Sequence, residues 1–447
     1  MFGSAISRWT ILHFGVALSF FLLAQLIMVA GGTFPATALS APTTLAAVHF
    51  LTIGWLTVLM LGALHQFIPV ITAQGEVAGS SALVSLVAIV LGLGGMEAGF
   101  LTLDARLPPA TLIALPLGGI LVLIGVAIAA VSLSRTLWQA RPLPFSARFV
   151  AAGLVFLFIA LGMGIVLGCA FSSPKLVPWS GAFTDGLRLH LFAGLIGWFM
   201  LTAIGVSYRL LSMFTLAPEE RGPLGIAVLI LIVAGLAATW LLDLAGVLGA
   251  PIPDIALVAA GAATGLGIAL YLVDMVRLYR ARRRHKLELN TGMALPALVA
   301  LALSILFAGY LAIGGITEPA LGALGYLFLF GWLSGLALSQ LYKIVPFLTW
   351  LERYGSLLGK QAVPRVQDLV DEHRDRPWFV VYFIAVAAGT LFAVLDWPIF
   401  WRVAVLVHLL ATLMILRALW LVRHGMPRSS PATPAGLPVA ARPPFAT

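Results

Sequence analysis

Apolar residues fill this chain in long runs, broken by short polar or Pro/Gly-rich stretches such as Gly31-Gly32 and Pro251-Ile252-Pro253. A helix that crosses the hydrocarbon of a bilayer needs about 20 predominantly apolar residues, and the sequence supplies twelve such runs. They are predicted near 9–31, 42–71, 80–103, 109–134, 147–172, 186–213, 223–248, 255–279, 292–314, 320–348, 377–396 and 400–422. The apolar stretch at 14–30 has no small-residue cleavage site, so it reads as a permanent span rather than a leader. The fold class this predicts is an all-α polytopic membrane protein with no soluble domain between its spans.

Composition strengthens that reading: 61% of the 447 residues are hydrophobic and 10% are charged, against roughly 45–50% and 25% in soluble domains. The one cysteine, Cys169, rules out an intramolecular disulfide, a thiolate metal cluster and dithiol chemistry. The formal charge of +9 would suit a nucleic-acid partner, but its placement favours the lipid bilayer. With the N-terminus inside, every Lys and Arg except Arg106, Lys175, Arg188 and Arg402 falls on the cytoplasmic side. The densest cluster, Arg280, Arg282, Arg283, Arg284 and Lys286, lies between spans 8 and 9. Cationic loops resist translocation. Both termini are therefore expected in the cytoplasm, in a multi-pass protein of a bacterial-type inner membrane, with the basic cluster near anionic lipid and no nucleic acid bound. The segment 352–376 mixes both signs and reads as an interfacial loop, and the Pro/Ala-rich tail at 426–447 is expected to be disordered.

A repeat emerges when spans 2, 6 and 10 are aligned on a Gly-Trp pair: Gly54-Trp55, Gly197-Trp198 and Gly331-Trp332. Eight residues beyond each glycine stands a small residue, Gly62, Gly205 or Ser339, suited to close helix approach. Eleven beyond come His65, Tyr208 and Tyr342, and twelve beyond come Gln66, Arg209 and Lys343. Pro69 and Pro346 share a further offset, where the second copy has Ser212. The register predicts three pseudo-repeated four-helix arcs, at 1–140, 141–285 and 286–425. A major-facilitator transporter has two six-helix halves and a basic signature after span 2. Here that loop is Thr72-Ala73-Gln74-Gly75-Glu76, without a basic residue.

Ionisable side chains within spans are expensive and mark function. Of eight histidines, His285, His373 and His424 fall in loops or ends; His13, His49, His65, His190 and His408 fall inside spans. Neutral imidazole is a common haem and copper ligand; the plain alternative for each is a hydrogen bond to a neighbouring carbonyl or tyrosine. His49, His190 and His408 lie a few residues into even-numbered spans and share the outer third of the membrane. His13 and His65 lie toward the inside. His49 and His65 are sixteen residues apart, roughly 24 Å along one helix, so they cannot share an ion. One outer cluster and one inner pair are expected. Among other polar residues, Glu97, Asp243, Glu318 and Asp396 read as groups near outer helix ends, and Asp274 as one near an inner end. Arg209 and Lys343 read as snorkelling cations, Tyr208 and Tyr342 as belt residues or, with His65, an inner polar cluster. Trp55, Trp198 and Trp332 read as packing residues.

These features together resemble subunit I of the haem–copper oxidase superfamily: twelve spans, three pseudo-repeated four-helix arcs, and ligand helices at positions 2, 6 and 10. The resemblance implies a low-spin haem b on His49, in Val48-His49-Phe50-Leu51, and the active-site metal on His190, in Arg188-Leu189-His190-Leu191. The family's remaining ligands are missing. Span 7 has no histidine, span 10 has none, and Tyr326 stands at the offset of His49. An oxygen-reducing or nitric oxide-reducing site of the usual form cannot be assembled. The resemblance therefore implies a degenerate member, in which His408 on span 12 replaces the lost ligand and pairs with His49. Three functions follow as expectations. The first is a non-oxidase haem- or copper-binding protein, with metal sites drawn from His49, His408 and His190, accessory to respiration or to nitric oxide and metal handling and supplied by an electron-donor protein. The others are a cofactor-free transporter or channel, and an assembly or partner subunit of a respiratory complex.

Overall fold

The computed structural model describes residues 4–73, 79–173, 182–218 and 222–425, and all regular structure among them is helical. Lys175, Gln74 to Glu76 of the span 2–3 loop and the tail at 426–447 lie outside the described residues. Among the described residues, twelve helices are long and apolar enough to cross a membrane. They are span 1 Arg8–Ala30, span 2 Pro42–Thr72, span 3 Ser81–Leu103, span 4 Pro109–Gln139, span 5 Phe145–Ser172 and span 6 Gly186–Thr215. The second half comprises span 7 Pro223–Val247, span 8 Asp254–Arg280, span 9 Leu289–Gly314, span 10 Glu318–Leu357, span 11 Glu372–Val394 and span 12 Pro398–His424. The face where span 1 begins is termed proximal, the opposite face distal. Twelve runs produce twelve helices because lipid offers no partner to a backbone amide, and the helix satisfies its own.

Span 10 runs past the apolar pattern that predicts its end. Its last turns are amphipathic and find partners off the helix axis: Glu352 pairs with Arg423 of span 12, and the Trp350 indole donates to the Pro364 carbonyl at 2.5 Å. The segment that follows is ordered on the proximal face. Gln367 donates to Glu288 at 3.0 Å, and the Glu372 carboxylate accepts from the Leu289 amide at 3.0 Å, at the start of span 9.

Neighbour relations recur every four spans. Span 1 packs on span 2, span 5 on span 6 and span 9 on span 10; spans 3 and 4, 7 and 8, and 11 and 12 form hairpins. Span 4 meets span 5, span 8 meets span 9, and span 12 returns to span 1, closing a ring. Spans 2, 6 and 10 are the most enclosed, with 61, 61 and 78% of their apolar core buried against 22–56% for the others.

Each of these three inner spans contains a π-helical segment: Phe50–Thr57, Phe192–Met200 and Leu327–Ser334. Each segment carries one Gly-Trp pair. The wider i→i+5 turn brings the glycine edge against the preceding outer span: a side chain at Gly54 would run into Phe20, one at Gly197 into Phe156. The tryptophans do more than fill space. Trp198 donates its indole N–H to Thr57 Oγ1 at 3.2 Å, and Trp55 donates to Ser334 Oγ at 2.9 Å. In both bonds the acceptor stands two residues beyond the partner span's own tryptophan. The third position in that cycle is Met200, which offers only a thioether, and the buried Trp332 indole N–H has no hydrogen-bond partner among the described residues.

Candidate functional site

Four of the five spanning histidines are held by a backbone carbonyl at Nδ1. A histidine on a helix can return its ring to the carbonyl one turn earlier, and three do so: His13 Nδ1 to Trp9 O at 2.8 Å, His49 Nδ1 to Leu45 O at 2.7 Å, His65 Nδ1 to Leu61 O at 2.7 Å. His190 Nδ1 reaches across to the Ala160 carbonyl of span 5 at 2.8 Å. A carbonyl only accepts, so in each case Nδ1 carries the proton. The ring is then fixed in the tautomer whose Nε2 lone pair is free to bind something else.

These rings meet in two pairs. On the proximal side His13 and His65 lie with centroids 6.0 Å apart and planes tilted by 42°. Both are buried, 1 and 4% exposed, and both Nε2 atoms lack a hydrogen-bond partner among the described residues. On the distal side His49 and His190 lie 6.3 Å apart, nearly parallel at 23°. That pair is half-buried, with the Phe100 ring 5.0 Å from His49 and the backbone of Gly164 against His190. Both pairs draw on span 2, near its opposite ends.

His408 stands apart from both. It is fully buried in an aromatic cage of Tyr382 (4.5 Å), Phe330 (5.1 Å), Tyr326 (6.2 Å) and Phe21 (6.4 Å). The Tyr326 hydroxyl lies 3.3 Å from its Nδ1, and its Nε2 has no hydrogen-bond partner among the described residues. The sequence places His49, His190 and His408 at similar depth; the fold turns His49 toward span 6, and the rings around His408 are Phe and Tyr. The inner pair of the sequence reading is brought together.

The other polar groups are engaged differently from the sequence expectation. Tyr208 donates to Asp274 at 3.0 Å and Tyr342 to Asp375 at 2.8 Å, so neither joins His65. Lys343 pairs with Glu288 at 2.6 Å instead of snorkelling freely. Asp243, buried, pairs with Arg188 at 3.0 Å. Glu97 is buried on span 3, one turn from Phe100, and its Oε1 has no hydrogen-bond partner among the described residues. One open cavity of about 70 Å³ lies among Ile71, Tyr208, Arg209, Asp274 and Arg277, and another of about 170 Å³ lies beside Arg353, Asp371 and Arg374. Neither is lined by a histidine.

An oxidase-type copper centre calls for about three imidazoles. Among the described residues no three His, Cys, Asp or Glu side chains converge as a metal group would require, so such a centre does not fit this ligand set. A haem needs only two axial protein ligands, and the distal pair has two imidazoles; a planar macrocycle also needs a slot, and neither of these two cavities borders the pair. A single ion between two rings makes the smaller demand. No protein-family description matches the chain, and no curated protein matches it in sequence. The fold thus defines a class: an integral, all-helical membrane protein with twelve spanning helices.

Proposed function

We propose that this chain is a membrane transporter or channel, without a resident redox cofactor, that passes a small cation between two paired-imidazole stations on span 2. One observation carries the reading: four of the five spanning histidines sort into two pairs near the opposite ends of span 2, each ring held at Nδ1 and offering Nε2. Neutral imidazoles bind cations reversibly, and a half-buried outer pair with a buried inner pair suits stepwise passage. The scaffold we propose is three four-helix arcs around spans 2, 6 and 10, as in haem–copper oxidase subunit I; the period-four packing and the tryptophan bonds support it. Charge bias supports a bacterial-type inner membrane with both termini in the cytoplasm. The test is flux of protons and monovalent metal ions into proteoliposomes. Wild-type protein conducts, while His49→Ala and His65→Ala each reduce flux at least tenfold. Equal flux in wild type and both variants would overturn the reading.

A second reading keeps the distal pair as axial ligands of a haem, or as a copper site, in an accessory protein of respiration served by an electron donor. The near-parallel rings at 6.3 Å favour it. It predicts a haem absorption band that disappears in His49→Ala and His190→Ala.

A further inference from the structure

The repeat supplies an internal control for the buried proximal pair. Gly62 lies against His13 so closely that a methyl group there would overlap the His13 Cβ; in the second copy Gly205 lies against Phe149 in the same way. Three residues on, His65 faces His13 at 6.0 Å, and Tyr208 faces Phe149 at 5.8 Å. Packing at this level is thus satisfied by an aromatic pair. The first copy substitutes two imidazoles whose Nε2 atoms have no hydrogen-bond partner at 1 and 4% exposure. A buried lone pair without a partner is costly, and one ion held by both rings would relieve the two at once.

We infer that the His13–His65 pair binds one soft monovalent d10 cation, Cu(I) or its analogue Ag(I), in two-coordinate geometry; the inference rests on the transport reading and names the class of its cargo. An imidazole-bound metal stands about 2.0 Å from its nitrogen, so two rings sharing one ion place their centroids roughly 6 Å apart, as here. Zinc is disfavoured because it takes four ligands, and no third His, Cys, Asp or Glu joins the pair among the described residues. A divalent charge would also carry a far larger burial penalty than a monovalent one, with no carboxylate present to offset it. A macrocycle is excluded sterically, since spans 1 and 2 touch at Gly62 and are bonded there by Thr10 Oγ1 to the Gly62 carbonyl at 3.1 Å. Imidazole is an accepted copper ligand, and the Nδ1–carbonyl bond on each ring is the arrangement that orients metal-binding histidines.

The experiment uses the full chain in detergent, stripped by chelator and titrated with Ag(I), then loaded anaerobically with Cu(I) for X-ray absorption. His13→Phe and His65→Tyr reproduce the second copy and so are chosen to keep the fold, checked by thermal unfolding. The expected result is a first shell of two nitrogens and no sulfur, with the double variant binding one ion fewer per chain. His285→Ala, in a loop, leaves the stoichiometry unchanged. No bound ion in wild type, a sulfur-containing shell, or unchanged stoichiometry in the double variant would overturn the inference. Binding lost in the variant with no flux in any liposome would sink transport and leave the site standing.

Discussion

At Tyr382 a fully buried hydroxyl donates to the Phe330 carbonyl at 2.8 Å, inside the π-helical segment of span 10. That bond anchors a backbone group on the span where Tyr326 stands at the offset of His49, and it braces the ring that packs on His408. Tyr382→Phe keeps the ring and leaves the carbonyl dependent on its helical partner. Loss of about 1 kcal/mol is expected, read as a lowered midpoint in detergent thermal unfolding; an unchanged midpoint would show that the carbonyl needs no second donor. Residue types with spanning depth were legible in the sequence, because a buried histidine is conspicuous in an apolar run. Which ring meets which was not. His190 and His408 start at similar depth, and their partners follow from helix rotation and neighbour identity, which the apolar pattern leaves open: His190 bonds the Ala160 carbonyl of span 5, whereas His408 turns to Tyr326.

Among elements, the inner spans are fixed by glycine. Gly54 and Gly197 each admit a phenylalanine from the preceding outer span, so Gly54→Val forces Phe20 aside. Overpacking of that kind costs roughly 1–3 kcal/mol, expected as a large drop in folded yield. Gly265, in span 8, has open space where a side chain would go, and Gly265→Ala is expected to leave yield and midpoint unchanged or slightly raised. Equal effects at both positions would contradict the packing described. The number of spans and, span 10 apart, their approximate extent were legible because apolar run length sets both. The π-helical segments were not, since side-chain periodicity near 3.6 survives one wide turn; the shared Gly-Trp register was the only trace. The extension of span 10 was missed for a related reason: its last turns are amphipathic, held by Trp350 and Glu352 rather than by lipid.

For the whole molecule, spans 2, 6 and 10 are tied by an incomplete cycle of indole bonds, span 6 to 2 and 2 to 10, with the step from Trp332 toward Met200 unmade. Met200→Thr places in span 6 the side chain that Thr57 presents in span 2. A gain of about 0.6–1 kcal/mol relative to Met200→Ala is expected, removed again by Trp332→Phe; additivity of the two changes would argue against the cycle. The central claim is that the spanning histidines work in pairs without a resident haem. The most direct measurement is the oxidised and dithionite-reduced absorption spectrum of the full chain, purified from haem-replete cells. A spectrum with only the aromatic band near 280 nm, from protein that still carries cation flux dependent on His49 and His65, is predicted. A Soret band with sharp reduced bands, weakened in His49→Ala and His190→Ala, would contradict the account and make the distal pair a haem site.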